Sequence, residues 1–254
     1  MALLPAVGGD GSAAYGYGRC GGTMLLSAVG GKGPLAMRNV NEQAEEPTYY
    51  QAPRVEMLDF VPNAAQRVLD VGCAEGAFSR AVKTRTGAEV WGIEFDPQAA
   101  ECAKSVIDRV LVGDANQLIA EIPDNYFDAI ICNDVLEHLV DPGATLRQLR
   151  PKLTPGGVVV ASIPNIRFLP ALSQVVFRKD FPQEDAGVFD RTHLRFFTRK
   201  SIVRLFETSG FTLQRVKGIN GYYTPYAVLL AVLSLGYFVD SFYLQYACVA
   251  SPTP

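Results

Sequence analysis

Short apolar runs alternate with amphipathic helical segments along the chain from residue 66 onward. Five runs rich in β-branched residues predict strands over residues 67–71, 89–94, 109–112, 127–132 and 158–163. Helical patterns lie between them, over residues 75–84, after Asp96-Pro97, and over residues 144–153. Strands separated by helices predict an α/β fold with a mostly parallel sheet and helices on both of its faces.

The C-terminal third continues this pattern with one more helix and two late strands. The helix is predicted over residues 198–209, where Thr198 is suited to cap its start and Gly210 to end it in a left-handed turn. The strands are predicted over residues 211–216 and 243–250. Residues 165–188 show no clear period, which is typical of an insertion or a lid.

The N-terminal segment differs from the rest of the chain. Ten of the 23 glycines lie before residue 34, and the first 36 residues carry only three charges. This composition predicts a disordered tail over residues 1–40, without the basic start and apolar run of a signal peptide. A single domain is expected over residues 41–254, with insertions at about 165–198 and 219–240.

A second unusual segment lies near the end of the chain, where residues 218–239 carry no charge. Pro225 and Gly236 interrupt it, and no basic cluster follows, which argues against a membrane span. A packed helix of about a dozen residues is one interpretation. Peripheral contact with a membrane or a lipid substrate through residues 222–239 is the other.

Composition narrows the function further. The chain of 254 residues is 48% apolar and 19% charged, with a net charge of −3, so it lacks the basic surface that nucleic-acid binding requires. The five cysteines are odd in number and show no C-x-x-C pair, which predicts free thiols and no structural zinc site. A cytoplasmic location fits this pattern. No metal is expected, since the sequence shows no cluster of metal ligands, although Asp134, Glu137, His138 and Asp190 could converge in space.

Acidic residues follow three successive predicted strands. The first strand runs into a glycine-rich turn that contains Asp70, Gly72 and Gly76, the second ends at Glu94, and the third is followed by Asp114. In an open parallel sheet the ligand lies at these carboxyl ends, and a carboxylate there can accept hydrogen bonds from ribose hydroxyls. Binding of NAD is disfavoured, because the turn lacks the G-x-G-x-x-G spacing.

The ordered segments VLDVGCAEGAFS (68–79), GIEFDP (92–97), GDA (113–115), FDAIICNDVLEHLVDP (127–142) and LTPGG (153–157) resemble the class I S-adenosylmethionine-dependent methyltransferases. The resemblance implies a seven-stranded Rossmann-like sheet whose last strand is antiparallel and inserted between the fifth and sixth. It also implies S-adenosylmethionine as cofactor and S-adenosylhomocysteine as product. The implied cofactor-binding residues are Asp70, Gly72, Cys73, Ala74, Gly76, Glu94, Phe95, Asp114, Ala115, Asn133 and Asp134. Ala74 departs from the glycine of many members, without an expected loss of binding.

Two histidines, His138 and His193, are the only ones in the chain, and both lie in segments expected near the transferred methyl group. Imidazole with a near-neutral pKa is suited to receive the proton of a hydroxyl acceptor. His193 is the favoured base, because Asp190 could orient its ring while Arg191 and Arg195 could bind an anionic substrate. The alternatives are that His138 shapes the cofactor pocket and that the segment around His193 is structural.

The segments DRTHLRFFT (190–198) and SIPN (162–165) are similar to those of bacterial methyltransferases that accompany glycosyltransferases in polysaccharide or secondary-metabolite pathways. In that group Tyr49, Tyr50 and Arg54 precede the core and are candidate substrate residues. The leading expectation is O-methylation of a small molecule or a sugar intermediate. The alternatives are a lipid or isoprenoid-linked, quinol-like acceptor and a cofactor-binding scaffold without catalysis.

Overall fold

The structure, a computed structural model, describes residues 54–254. Seven strands form one sheet: β1 (Arg67–Val71), β2 (Glu89–Glu94), β3 (Arg109–Val112), β4 (Phe127–Asn133), β5 (Leu153–Pro164), β6 (Phe211–Gly221) and β7 (Tyr243–Pro252). Their order across the sheet is β3-β2-β1-β4-β5-β7-β6. The first five strands pair in parallel, and β7 runs antiparallel between β5 and β6. The fold expected from the sequence, including the inserted last strand, is confirmed.

Eight α-helices occur among the described residues: α1 (Val55–Leu58), α2 (Ala77–Thr86), α3 (Pro97–Lys104), α4 (Ala115–Leu118), α5 (Pro142–Leu149), α6 (Leu169–Phe177), α7 (Arg199–Thr208) and α8 (Pro225–Leu233). Short 3-10 turns add Leu136–His138 after β4 and Val239–Phe242 before β7. The turn after β4 carries one of the two histidines.

Alternating strand residues divide the core into two layers. Leu69 and Val71 of β1 pack in one layer with Phe206 of α7, while Val68 packs in the other with Phe78 of α2. Successive side chains of a strand point to opposite faces, so a nearly continuous apolar run buries both. The helices on the two faces hold the strand ends in place, and these ends position the site.

The predicted helix caps are present. Asp96 accepts a hydrogen bond from the backbone N–H of Gln98 at 2.8 Å, with Pro97 in the first turn. Thr198 forms a capping box with Ser201, and Gly210 has a φ of +83°. β2 and β3 have the predicted bounds.

Other boundaries differ for identifiable reasons. α2 begins at Ala77 rather than residue 75, because Gly76 caps it in a left-handed conformation. β5 is longer than predicted mainly at its start, where Leu153 pairs with Phe127 of β4, and β6 is longer because β7 pairs with it as far as Gly221. The segment without a clear period contains α6.

The uncharged segment forms the nine-residue helix α8, whose buried residues are Ala227 and Ala231. Among residues 54–254, no helix combines the length and the apolarity needed to cross a bilayer. The predicted tail over residues 1–40 lies outside the described residues. The expected extents of the domain and of its two insertions stay predictions.

Candidate active site

A cavity of about 390 Å³ opens at the carboxyl ends of β1, β2 and β4. Its walls come from the glycine-rich turn, the end of β2, the turn after β4 and a loop over residues 185–192. The predicted residues that line it are Arg54, Asp70, Gly72, Cys73, Ala74, Glu94, Phe95, Asn133, Asp134 and His138. The volume falls in the range of small-molecule sites.

Two glycines give the turn after β1 its shape. Gly72 has a φ of +73°, and a Cβ there would lie 2.6 Å from Cγ2 of Val135. Gly76 has a φ of +80°, and a Cβ there would lie 3.2 Å from Cα of Ala103. Both positions therefore require glycine, for conformation and for space. Ala74 also has a positive φ, of 48°, which explains why glycine suits this position in related proteins.

Glu94 holds this turn as well as facing the cavity. Its Oε2 accepts the backbone N–H of Ala74 at 2.7 Å, and its Oε1 accepts the backbone N–H of Asp96 at 2.9 Å. Each carboxylate oxygen keeps a further lone pair for a ligand hydroxyl. The sequence predicted the ribose role of Glu94, whereas its support of the turn requires the structure.

Asp70 is the most buried acid of the turn. Ser79 Oγ donates a hydrogen bond to it at 2.5 Å. Burial raises the pKa of Asp70 to about 7, and the nearby charge of Glu94 acts in the same direction. A cationic ligand group in the cavity would favour its ionised form.

Asn133, at the end of β4, has an amide with no protein partner. Its Oδ1 and Nδ2 are both buried, and neither makes a hydrogen bond within residues 54–254. The side chain lines the cavity, so a ligand with a donor and an acceptor could satisfy both atoms. This observation fits the nucleoside or the amino-acid part of the implied cofactor.

Three of the predicted cofactor residues lie outside the cavity lining: Gly76, which shapes the turn, and Asp114 and Ala115. Asp114 caps α4 by accepting the N–H of Asn116 at 2.9 Å, and Ala115 is the first residue of that helix. Both lie at the carboxyl end of β3, next to β2. Their proposed contact with the adenine stays a prediction.

Arg54 and Asp134 form the centre of a polar network between the cavity and β7. Arg54 Nη1 pairs with Asp134 Oδ2, and Arg54 Nη2 donates to Gln245 Oε1 at 2.9 Å. Ser162 Oγ donates to Asp134 Oδ1 at 2.8 Å. Burial lowers the pKa of Arg54, but the charges of Asp134 and Glu56 more than offset this and keep it above its usual value. Arg54 therefore lines the cavity as a paired cation.

His138 lines the cavity and is held by a chain of hydrogen bonds. Thr192 Oγ1 donates to Asp190 Oδ1 at 2.6 Å and lies 3.1 Å from His138 Nδ1. Because the Thr192 proton is used on Asp190, His138 Nδ1 carries a hydrogen and donates it to Thr192. His138 Nε2 is left with a lone pair. Asp190 thus orients His138 through Thr192, a relay that the sequence did not predict.

His193 lies behind His138, outside the cavity lining. The two rings pack edge to face with centroids 4.8 Å apart. His193 Nδ1 donates to the carbonyl oxygen of Val188 at 3.1 Å. Burial lowers the pKa of His193, and the neighbouring His138 acts in the same direction. His138, and not His193, therefore lines the cavity, while the catalytic role expected of either histidine stays a prediction.

Glu137 is the least solvated acid of the site, with a relative exposure of 0%. Neither carboxylate oxygen makes a hydrogen bond within the described part of the chain, and His193 Nε2 lies 4.0 Å from Oε1. Burial raises the pKa of Glu137 well above its usual value, and the charge of Asp134 adds to this. Ligand atoms of Glu137, His138 and His193 lie within 4.8 Å of one another and could hold a metal ion. The expectation that no metal binds is untested.

The remaining candidate substrate residues lie at the edge of the site or outside the described residues. Arg191 pairs with Asp185, and Arg195 donates to the carbonyl oxygen of Val140 at 2.6 Å. Neither arginine lines the cavity, so their predicted anion-binding role has no direct support from the geometry. Tyr49 and Tyr50 fall outside residues 54–254.

The fold and the cavity together define a nucleotide-cofactor site of the S-adenosylmethionine type. The chain belongs to the methyltransferase domain family, whose profile matches residues 41–216. It is a class I S-adenosylmethionine-dependent methyltransferase, as the sequence indicated. The unpaired Asn133 amide, the close approach at Gly72 and the oxygens of Glu94 fit that cofactor.

Two relatives of similar sequence carry the same name. The chain is 28% identical over 185 residues to a ubiquinone biosynthesis O-methyltransferase of Aeromonas salmonicida, covering 70% of this chain and 74% of that protein. It is 38% identical over 122 residues to the protein of the same name from Xanthomonas campestris. That second match spans 46% of this chain and 48% of the relative, about half of its length.

Solved structures share the fold at lower identity. A S-adenosylmethionine-dependent methyltransferase from Archaeoglobus fulgidus has a TM-score of 0.60 and 18% identity, covering 77% of this chain and 91% of that one. A Burkholderia thailandensis 1,6-didemethyltoxoflavin-N1-methyltransferase with bound S-adenosylhomocysteine has a TM-score of 0.54 and 15% identity, covering 82% and 80%. Because the second transfers methyl to nitrogen, the fold alone does not define the acceptor atom.

Proposed function

We propose that this methyltransferase methylates a hydroxyl oxygen of a small molecule. The observation that carries the proposal is the arrangement at His138, which lines the cofactor cavity and is held by Thr192 and Asp190 with Nε2 free of its proton. An imidazole in this state is ready to accept the proton of a hydroxyl group. The O-methyltransferase names of the relatives support the same acceptor atom.

The residues of the chain position the reactants and receive a proton. When bound, S-adenosylmethionine supplies an activated methyl group and leaves as S-adenosylhomocysteine. Glu94 and Asn133 would hydrogen-bond its ribose and polar groups, and the carboxylate of Asp70 would stabilise its positive charge. His138 Nε2 takes the hydroxyl proton as the oxygen attacks, and Asp190 stabilises the resulting imidazolium through Thr192. His193 packs against the ring of His138 and supports its position.

The acceptor is a quinol-like aromatic compound with a lipid or isoprenoid part. The reported relatives belong by name to ubiquinone biosynthesis rather than to sugar modification, which supports this alternative over a sugar intermediate. Phenolic hydroxyls also lose their proton more easily than sugar hydroxyls, so one imidazole is a sufficient base.

The enzyme meets the membrane only peripherally, from the cytoplasm, through the segment 222–239. α8 buries its alanines and exposes Tyr226, Leu229 and Leu233, and the segment carries no charge. Tyrosine and leucine together suit the interface between lipid headgroups and acyl chains. Such contact would bring a lipid-linked acceptor near the site.

Methyl transfer to a benzenediol in the presence of S-adenosylmethionine tests the proposed function. His138→Ala should lower kcat by about 10²- to 10⁴-fold with cofactor affinity within a few-fold of the parent. His193→Ala is the matched comparison and should lose less activity, because its ring lies outside the cavity. The enzyme is dialysed against EDTA, so that turnover without added metal tests imidazole as the proton acceptor.

Two outcomes would contradict the assignment of His138. Full turnover by His138→Ala would remove it as the base. Activity that appears only after a divalent cation is added would assign the activation of the hydroxyl to an ion at Glu137, His138 and His193 instead.

A further inference from the structure

A second cavity of about 400 Å³ lies beside the cofactor cavity. It is formed by α6, the loop over residues 184–189 and Leu244 of β7. Gly187 lines both cavities, so both border this residue. Of the contacts described above, the hydrogen bond from His193 to the carbonyl oxygen of Val188 involves a residue of its lining, whereas the predicted cofactor residues do not line it.

The second cavity has an apolar floor and a polar rim. Ala171, Val188 and Phe189 form a buried cluster at its base, with Phe168 and Leu244 packed against it. Ser173 and Arg178 of the α6 region are among the polar residues that complete the lining. Sites for small organic molecules share this combination of apolar walls and a few polar groups.

The junction at Gly187 has room for a ligand. Gly187 has no side chain, and a Cβ built there would find no atom within 4 Å. The same loop also contacts the proposed base indirectly. The carbonyl oxygen of Val188 accepts a hydrogen bond from His193, and the ring of His193 packs on that of His138. A molecule that passes Gly187 would therefore have one end near His138 and the other in the second cavity.

The surface beyond the second cavity is also apolar. Val175, Val176 and Phe177 at the end of α6 are exposed, as is Phe181, which follows three exposed charged residues (178–180). The ring of Phe181 packs on Phe189 of the cavity floor, with centroids 4.8 Å apart. A chain too long for the cavity would thus leave it over apolar side chains rather than into water.

We infer that the second cavity binds the apolar part of the methyl acceptor, with Gly187 as the passage and Ser173 as a position that limits chain length. The acceptor is an amphiphile whose hydroxylated ring lies at His138 and whose alkyl or isoprenoid chain lies between α6 and the loop 184–189. This inference rests on the proposed function and adds the location of the specificity site.

A series of catechols tests the inference: catechol, 4-methylcatechol and 4-hexylcatechol. For the parent enzyme, kcat/KM should rise at least ten-fold from 4-methylcatechol to 4-hexylcatechol, mainly through KM, since one buried methylene contributes up to about four-fold. Ser173→Phe fills the cavity and should abolish this gain while leaving catechol turnover and S-adenosylhomocysteine affinity within about two-fold. Val175→Phe, two residues away and outside the lining, should retain the gain.

Binding measurements separate this inference from the proposed function. If no catechol is methylated, calorimetry of 4-hexylcatechol against the complex with S-adenosylhomocysteine still tests the cavity. Binding to the parent and to Val175→Phe but not to Ser173→Phe supports it. The smaller substitution Ser173→Leu should give an intermediate effect if Ser173→Phe does not fold. Equal chain-length dependence in all variants, or no binding of 4-hexylcatechol to the parent, would overturn the inference.

Discussion

At the scale of single residues, the burial of Asp70 makes the stability of the protein depend on pH. In the folded protein the pKa of Asp70 is about 7, whereas that of an unperturbed aspartate is 3.8. The folded state therefore binds more protons than the unfolded state between these values. The free energy of unfolding of the cofactor-free protein falls as pH rises from about 4 to 7, by at most about 4 kcal/mol from this group.

Asp70→Asn should remove this dependence. At pH 8 the variant without cofactor should melt at least about 3 °C above the parent, because no buried charge forms. At pH 4.5 the two should melt alike, and the variant should bind S-adenosylmethionine more weakly. Scanning calorimetry at both pH values is the measurement.

Asp128→Asn is the matched control, because the fold lowers the pKa of the Asp128 carboxylate whereas it raises that of Asp70. Although burial alone would raise it, the pKa of Asp128 is lowered by the backbone N–H groups of Gln66 and Arg67. This variant should melt below the parent at pH 8. A higher melting temperature for both variants would show that the effect is not specific to Asp70.

Position in the sequence predicted some site residues and not others. Asp70, Gly72 and Glu94 follow strand ends, and parallel strands bring their carboxyl ends to one edge of the sheet. The relay from Asp190 through Thr192 to His138 joins residues more than 50 positions apart. This relay depends on the conformation of the loop after α6, which the local sequence pattern does not predict.

At the scale of elements, the bounds of a strand were predicted correctly where the local sequence pattern ends at the same residues as the pairing with neighbouring strands. β2 and β3 are bounded by charged or turn residues on both sides, and their predicted bounds are confirmed. β5 extends further at its start through pairing with β4, and β6 extends further through pairing with β7, and neither pairing is visible in the local sequence pattern. α6 has an apolar sequence with no polar face, so its period is not visible.

α8 leads to a prediction about lipid. Leu229 and Leu233 lie one turn apart and expose 54% and 74% of their surface. Vesicles of phosphatidylcholine should carry the parent protein into the pellet on centrifugation, and Leu229→Gln with Leu233→Gln should lower the bound fraction at least ten-fold, since each leucine contributes up to about 2 kcal/mol on burial. The fold should be unaffected, because α8 packs through Ala227 and Ala231.

A matched control for α8 changes two exposed residues elsewhere. Glu101→Gln with Lys104→Gln on α3 removes an exposed ion pair and should leave vesicle binding unchanged. Equal sedimentation of the parent and the α8 variant, or no sedimentation of the parent, would show that α8 does not bind lipid.

At the scale of the whole molecule, the cofactor cavity joins parts of the chain that are far apart. Its walls include Arg54, the turn at Gly72, the end of β4 and the loop at Gly187. A ligand that binds only the assembled cavity must therefore stabilise the folded state as a unit. The sequence motifs predicted residues at the ends of β1, β2 and β4 in this cavity, but the loop contributes through a conformation that only the structure shows.

The rise in melting temperature caused by S-adenosylhomocysteine measures how much this ligand stabilises the folded state. With a Kd of about micromolar, 100 µM ligand contributes about 2.7 kcal/mol, which raises the Tm of a domain of this size by roughly 5–11 °C. Glu94→Ala should weaken binding by about 1.5–3 kcal/mol and remove most of the shift, because it deletes two acceptor oxygens and frees the turn at Ala74. Glu101→Ala, an exposed glutamate on α3, should keep it. An equal shift with NAD, or a full shift in Glu94→Ala, would contradict the assignment of this cavity to S-adenosylmethionine.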